Sequence, residues 1–345
     1  MDGSQIVTAR PCGDGITAAL DSYATPLRAL LAQPGVLEVV VNRPGEAMVE
    51  TSAGWTTHPM TDLTLTRLRG LAKAAAAVQR ADIDADSPIV SVTLPSGERG
   101  QFVFPPVVEE GVVSVTLRKP STTTMPVEAY DEAGFFENVI TTTRPLSNVE
   151  EELLRLKEAG RFREFLRLAV ESKRNVLISG ATGSGKTTLS KTLIAMVPSH
   201  ERIITIEDTR ELDVPHRNKV HLVYGRGVGG NKVRAKDLLE SCLRMRPDRI
   251  MLQELRDGVA FHYLRNVNSG HPGSITTVHA DSAALAFEQL TLLVRESEGG
   301  RDLARDDVRA LLRLLVDVVI QVKRIDGKFR MTELYYDPAA RLHGR

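Results

Sequence analysis

The chain has 345 residues, 42% of them hydrophobic, with 44 basic and 44 acidic side chains that cancel to a net charge of zero. That length favours two domains with real apolar cores, and the neutral balance excludes a chain-wide basic surface, which argues against nucleic acid as a direct ligand. No secretory apolar core follows Met1 and no run of about 18 apolar residues occurs, while Cys12 and Cys242 lack metal-ligand spacing and suit a reduced, cytosolic compartment.

Residues 1–20 carry no strong pattern and read as a loose leader. Residues 21–120 read as an α+β domain. A short helix is expected over Ser22–Leu31, then strands at Val36–Val41, Ala47–Glu50 and Gly54–Thr57. Asp62–Arg80 has the apolar spacing of a helix. Ile89–Leu94 and Gly100–Phe104, joined through Pro95-Ser-Gly97, read as a hairpin, and Val112–Leu117 as the last strand. Residues 121–148 form a linker, rich in threonine and proline, with a helix over Val127–Val139. Such a segment lets two domains move against each other.

Residues 149–345 alternate strand and helix, the pattern of an α/β domain with a largely parallel core. Ser147 or Asn148 caps a helix that Gly160 ends, and Arg161–Ser172 is another. Strands are expected at Val176–Ile178, Arg202–Ile206, Val220–Tyr224, Arg249–Leu252 and Ser274–Val278. Helices are expected at Thr187–Val197, Ala235–Met245, Val259–Val267, Ala283–Glu296 and Arg301–Leu314. Gly225–Gly230 reads as a flexible loop, and Val316–Leu334 as a terminal hairpin turning at Asp326-Gly-Lys328.

One stretch organises this half. Gly180-Ala181-Thr182-Gly183-Ser184-Gly185-Lys186-Thr187 fits the phosphate loop, between a buried strand and a helix as that motif requires. Glycines let backbone N–H groups close around phosphate oxygens. Lys186 then reaches the β- and γ-phosphates, and the Thr187 hydroxyl, followed by Thr188, is placed to hold Mg²⁺. The bland alternative is a glycine turn carrying a surface lysine.

Hydrolysis also needs an oriented water and groups that meet the developing charge. Such groups are sought at strand ends. Glu207 and Asp208 leave one strand, as holders of metal-bound water or as a solvated acidic turn. Glu254 ends another, either to deprotonate water or to pair with Arg249 or Arg256. His279 ends a third and His271 lies among glycines. A neutral imidazole there can sense a γ-phosphate. Arg244 and Arg246 precede the glutamate strand, as arginines supplied across a subunit boundary or as partners of Asp248 or Glu240.

Taken together, these boxes resemble the hexameric secretion ATPases of the type II/type IV group. The phosphate loop, the Glu207–Leu212 box, Glu254 and the Gly270–His279 box come in that family's order. Cys242-Leu-Arg-Met-Arg-Pro-Asp-Arg249, Val41-Asn-Arg-Pro-Gly-Glu46 and Ser114-Val-Thr-Leu-Arg-Lys-Pro-Ser121 resemble its type IV branch. Gln253 departs from it, since a small residue usually stands there. The resemblance implies an α+β N-terminal domain and a RecA-like phosphate-loop C-terminal domain, with ATP and Mg²⁺ bound between them. Lys186, Glu254, Glu207, His279 and Arg246 are the implied catalytic residues. Residues 180–188 and Arg118 would hold the nucleotide, and Thr187, Glu207 and Glu254 the metal. The implied assembly is a homo-hexamer on the cytoplasmic side of the inner membrane, working with membrane components and other ATPases of the channel. Three roles compete: an ATPase motor for secretion or conjugation, a nucleotide-gated scaffold with incidental hydrolysis, and a DNA-translocating motor. The aromatic content of 5% counts against the last.

Overall fold

The computed structural model describes residues 14–120, 124–137, 139, 145–225, 232–268 and 270–341. The chain divides into two compact units, the first ending at Pro120 and the second carrying the rest of the described chain.

The first unit holds helices α1 (Asp14–Leu31) and α2 (Leu65–Val78) and strands β1 (Glu38–Val41), β2 (Glu46–Thr51), β3 (Gly54–Pro59), β4 (Ile89–Thr93), β5 (Arg99–Val103) and β6 (Ser114–Arg118). The strands pair antiparallel in the order β3-β2-β1-β6-β5-β4. Period two puts Val39 and Val41 of β1 and Val115 and Leu117 of β6 into one core with Leu27, Leu71 and Phe102. Helix α1 starts well before the expected Ser22, because Leu20, Ala24, Leu27 and Leu31 carry one buried stripe through it. Residues 14–20 are therefore helix and not leader, and residues 1–13 of the expected leader lie outside the described residues.

The second unit opens with α3 (Val127–Glu132). That helix is shorter than expected because Gly134 takes a left-handed φ of 72°. Helices α4 (Asn148–Glu158) and α5 (Phe162–Glu171) follow. Ser147 caps α4 in a reciprocal box: its hydroxyl accepts from the Glu150 amide and its own amide donates to the Glu150 carboxylate. Next come β7 (Val176–Ser179), α6 (Lys186–Ile194), β8 (Ile203–Glu207), β9 (Lys219–Val223), α7 (Ala235–Cys242), β10 (Arg249–Leu252), α8 (Val259–Asn268), β11 (Ile275–Val278), α9 (Ala283–Glu296), α10 (Arg305–Leu315), β12 (Val318–Ile325) and β13 (Lys328–Tyr336). The expected glycine loop lies, from residue 226, outside the described residues.

Two ladders build this unit. One is all parallel, β10-β8-β9. In the other, β11-β7-β12-β13, strand β7 runs parallel to both neighbours and only β13 is antiparallel. The ladders meet just past β10, where Glu254 bridges to Thr277 of β11. Every residue of β7, β10 and β11 is buried, as strands covered on both faces require. Among the described residues no helix is long and apolar enough to cross a membrane.

Candidate functional site

The phosphate-loop sequence leaves the carboxyl end of β7 and ends at the first turn of α6, whose N-cap is Gly185 at φ 93°. Gly183 is also left-handed, at 74°. A side chain at Gly180 has no room: its Cβ would lie 2.5 Å from both the Val322 carbonyl oxygen and Ser184 Oγ. These constraints give a ring of backbone donors at a positive helix end. Ser184 Oγ is buried without a hydrogen-bond partner, so the cradle has donor capacity left over for a ligand.

Lys186 is buried, and its Nζ donates to the carbonyls of Gly180 at 2.7 Å and Ala181 at 2.9 Å. Burial holds its ammonium below the ordinary lysine range, against the opposing pull of the Glu254 charge. Nζ also lies 3.3 Å from His279 Nδ1. The other ring nitrogen, Nε2, is 2.7 Å from Glu254 Oε1. Glu254 Oε2 is 2.8 Å from an Arg256 nitrogen, and that same nitrogen reaches Asp208 Oδ2 at 2.9 Å. Lysine, histidine, glutamate, arginine and aspartate thus form one continuous polar chain. It runs along a cavity of about 500 Å³ that Thr187, Thr188, Gln253, Thr277 and Phe329 also line.

Three ends of parallel strands make this convergence. Lys186 follows β7, Glu254 follows β10 and His279 follows β11. The Glu254–Thr277 bridge fixes the last two in register, supported by Leu255 N–H to Thr277 O at 2.8 Å and Thr277 Oγ1 to Gln253 O at 2.9 Å. The Gln253 amide bends to Glu211 at 2.8 Å along the same wall.

Not every expected residue stands here. Glu207 is buried and absent from the cavity lining; its carboxylate accepts from Thr205 Oγ1 at 2.8 Å and from the amides of Glu211 and Leu212, both at 2.7 Å. Burial by itself would raise that carboxyl. The nearby His221, these amides and the hydroxyl outweigh it and hold the group below the usual carboxylate range. Successive residues of a strand face opposite ways, so Glu207 folds inward and Asp208 takes the cavity side. The metal-holding and catalytic parts expected of Glu207 do not fit this position. Arg249 does not pair with Glu254 either. It is fully buried at the other end of β10, with its guanidinium forked onto Glu201 by two bonds of 2.9 Å.

His271 is not among the cavity residues; its ring, lowered by burial, feels the charges of Arg246 and Asp248. Arg246 pairs with Asp248 at 3.5 Å, also away from the cavity. Arg118 is exposed at the end of β6 in the first unit. Asp208 stood out in the sequence only beside Glu207, and Arg256 as a partner of Glu254 and in the segment Glu254-Leu-Arg256 that resembles the type IV branch. Phe329 left no sequence signal, because it arrives from a hairpin far along the chain.

A metal here has protein groups at one edge only. Among the described residues no three His, Cys, Asp or Glu side chains gather as a cage. Thr187 and Glu254 on the cavity wall suit a hard cation that takes most of its oxygens from phosphate and water, which is how Mg²⁺ binds.

A family model for the type II/IV secretion system protein matches residues 22–328. The type IV secretion system protein VirB11 of Bartonella henselae is 50% identical over 337 residues, covering 94% of this chain and 95% of that protein. VirB11 of Brucella suis is 44% identical over 328 residues, covering 93% of this chain and 91% of the relative. The crystal structure of the VirB11 ATPase from the Brucella suis type IV secretion system, in complex with sulphate, superposes with a TM-score of 0.90 at 44% identity, over 94% of this chain and 99% of that one. The likeness runs through both units and takes in every strand that feeds the polar chain. This protein belongs to the type II/IV secretion system protein family.

Proposed function

We propose that this protein is a Mg²⁺-dependent ATPase that powers a bacterial type IV secretion or conjugation apparatus. It works as a homo-hexameric ring at the cytoplasmic face of the inner membrane, docked on membrane components and on other ATPases of the channel. One observation supports this above the rest: Glu254 stands between His279 and Arg256, one imidazole away from Lys186.

The chemistry follows from that order. ATP seats its phosphates on the amides of residues 180–188, and Lys186 exchanges the Gly180 and Ala181 carbonyls for β- and γ-phosphate oxygens. Glu254 takes the proton of a water aimed at the terminal phosphorus. Its distance to that water is set by Arg256, which Asp208 braces. His279 touches both Glu254 and Lys186, so it registers whether the terminal phosphoryl is present. Magnesium, when bound beside Thr187 and Glu254, neutralises charge on the β- and γ-oxygens. Arg246 from a neighbouring copy supplies a further cation, by resemblance to the family. The RecA-like description of the second unit rests on the same likeness and on its parallel ladders.

The test is phosphate release by purified protein with Mg²⁺ and ATP. Wild type is expected to exceed Lys186→Ala by at least about 100-fold; equal rates end the ATPase reading. In cells, Glu254→Gln is expected to keep the ring and lose secretion. Normal secretion by that variant makes the protein a nucleotide-gated scaffold instead.

A further inference from the structure

Phe329 is 59% exposed, near the tip of the β12–β13 hairpin. The ring lines the same cavity as the phosphate loop, Glu254 and His279. This ring is not loose. It packs on the phosphate loop so closely that a methyl on Gly185 would lie 3.0 Å from its Cδ1. Across the ladder its partner is Arg324, whose guanidinium carbon sits 5.9 Å from the ring centroid. The hairpin also grips the other end of the loop, where the Val322 carbonyl fills the space a Gly180 side chain would need. Hairpin and loop therefore pack against each other at both ends, in a ladder where β12 pairs directly with β7.

The cavity lining is mixed in chemistry. Lys186, His279 and Glu254 form an ionic group within it. Thr187 and Thr188, at the start of α6, line it together with Phe329. If the terminal phosphate lies by Lys186 and the inner phosphates lie on the loop amides, the rest of the ligand leaves past the ring. We infer that Phe329 is the platform for the nucleoside of the bound nucleotide, and that it accepts purines by their flat faces. The inference rests on the phosphate-loop reading above and deepens it. A phenyl ring offers no donor or acceptor, so this contact holds adenine and guanine alike; any preference between them arises elsewhere.

The experiment titrates full-length wild type, Phe329→Ala and Phe329→Tyr with AMP-PNP, GMP-PNP and inorganic tripolyphosphate by calorimetry, in Mg²⁺. Phe329 is exposed near a hairpin tip, so the alanine variant is expected to fold, which circular dichroism checks. Loss of an aromatic–base contact weakens both nucleotides about 5- to 100-fold. Tripolyphosphate binding stays within about twofold of wild type, and tyrosine restores the nucleotides. Nucleotide affinity unchanged in Phe329→Ala overturns the platform. So does an equal loss for tripolyphosphate, which makes the ring a prop for the loop. Failure of wild type to bind tripolyphosphate overturns the phosphate-site reading itself, and the platform with it.

Discussion

Gly185 caps α6 from the left-handed region, with the Phe329 ring only 3.0 Å from where a methyl would stand. Gly185→Ala therefore meets two penalties, the left-handed backbone cost of about 1–2 kcal/mol and displacement of Phe329. A lower melting temperature together with weaker AMP-PNP binding is expected, and a variant that binds as wild type does would show that the loop closes another way. Glu207 makes a separate residue-scale prediction. Its carboxyl is held below the usual range in the fold, so it contributes stability above the unfolded carboxylate value, near pH 4, and that contribution is lost as pH falls through the depressed native value. Glu207→Gln is expected to cost about 1–3 kcal/mol at pH 7 and to flatten the acid loss of stability, read by urea unfolding from pH 7 to 3. Legibility differs sharply among these residues. Lys186 announces itself by motif, and Glu254 and His279 because each ends an apolar run. Glu207 misled because a sequence shows that two acids leave a strand, but not which one the pleat turns inward.

At the scale of elements, β10 carries structure at one end and chemistry at the other. Arg249 and Glu254 are five residues apart, about 16 Å along an extended strand. The Arg249–Glu201 pair is buried, with burial resisting the Glu201 charge and the Arg249 bonds and Lys173 prevailing to hold that carboxyl low. Arg249→Ala leaves Glu201 buried without its fork and is expected to cost about 3–5 kcal/mol, seen as a lower urea midpoint. Element boundaries were readable where a local signal exists, at the Ser147 cap and at the Asp326–Gly327 turn with both residues at positive φ, and were misread at Gly134, where the expected helix ran on past its true end. They failed for α1, whose stripe of leucines and alanine is sparse enough to pass for unpatterned chain. Strand order could not be read at all, because the meeting of β10 with β11 is a long-range event.

At the scale of the whole molecule, balanced charge makes a prediction of its own. Proteins that grip duplex DNA do so by neutralising phosphates, with steep salt dependence. No polarisation change of a labelled duplex is expected at about 0.15 M salt, and DNA is not expected to stimulate phosphate release. Salt-sensitive binding with stimulation would restore the translocase reading. Family membership and the two-part layout were legible here because several boxes in fixed order leave little freedom, whereas partners and cargo are written on surfaces that one chain does not explain. The bridge between the two ladders has a mechanical consequence. Glu254 and Arg256 follow a strand of one ladder, while Lys186, Thr187 and His279 follow strands of the other. The site is thus stitched across a seam between the ladders, and undoing that stitch would part the Glu254 carboxylate from the His279 ring.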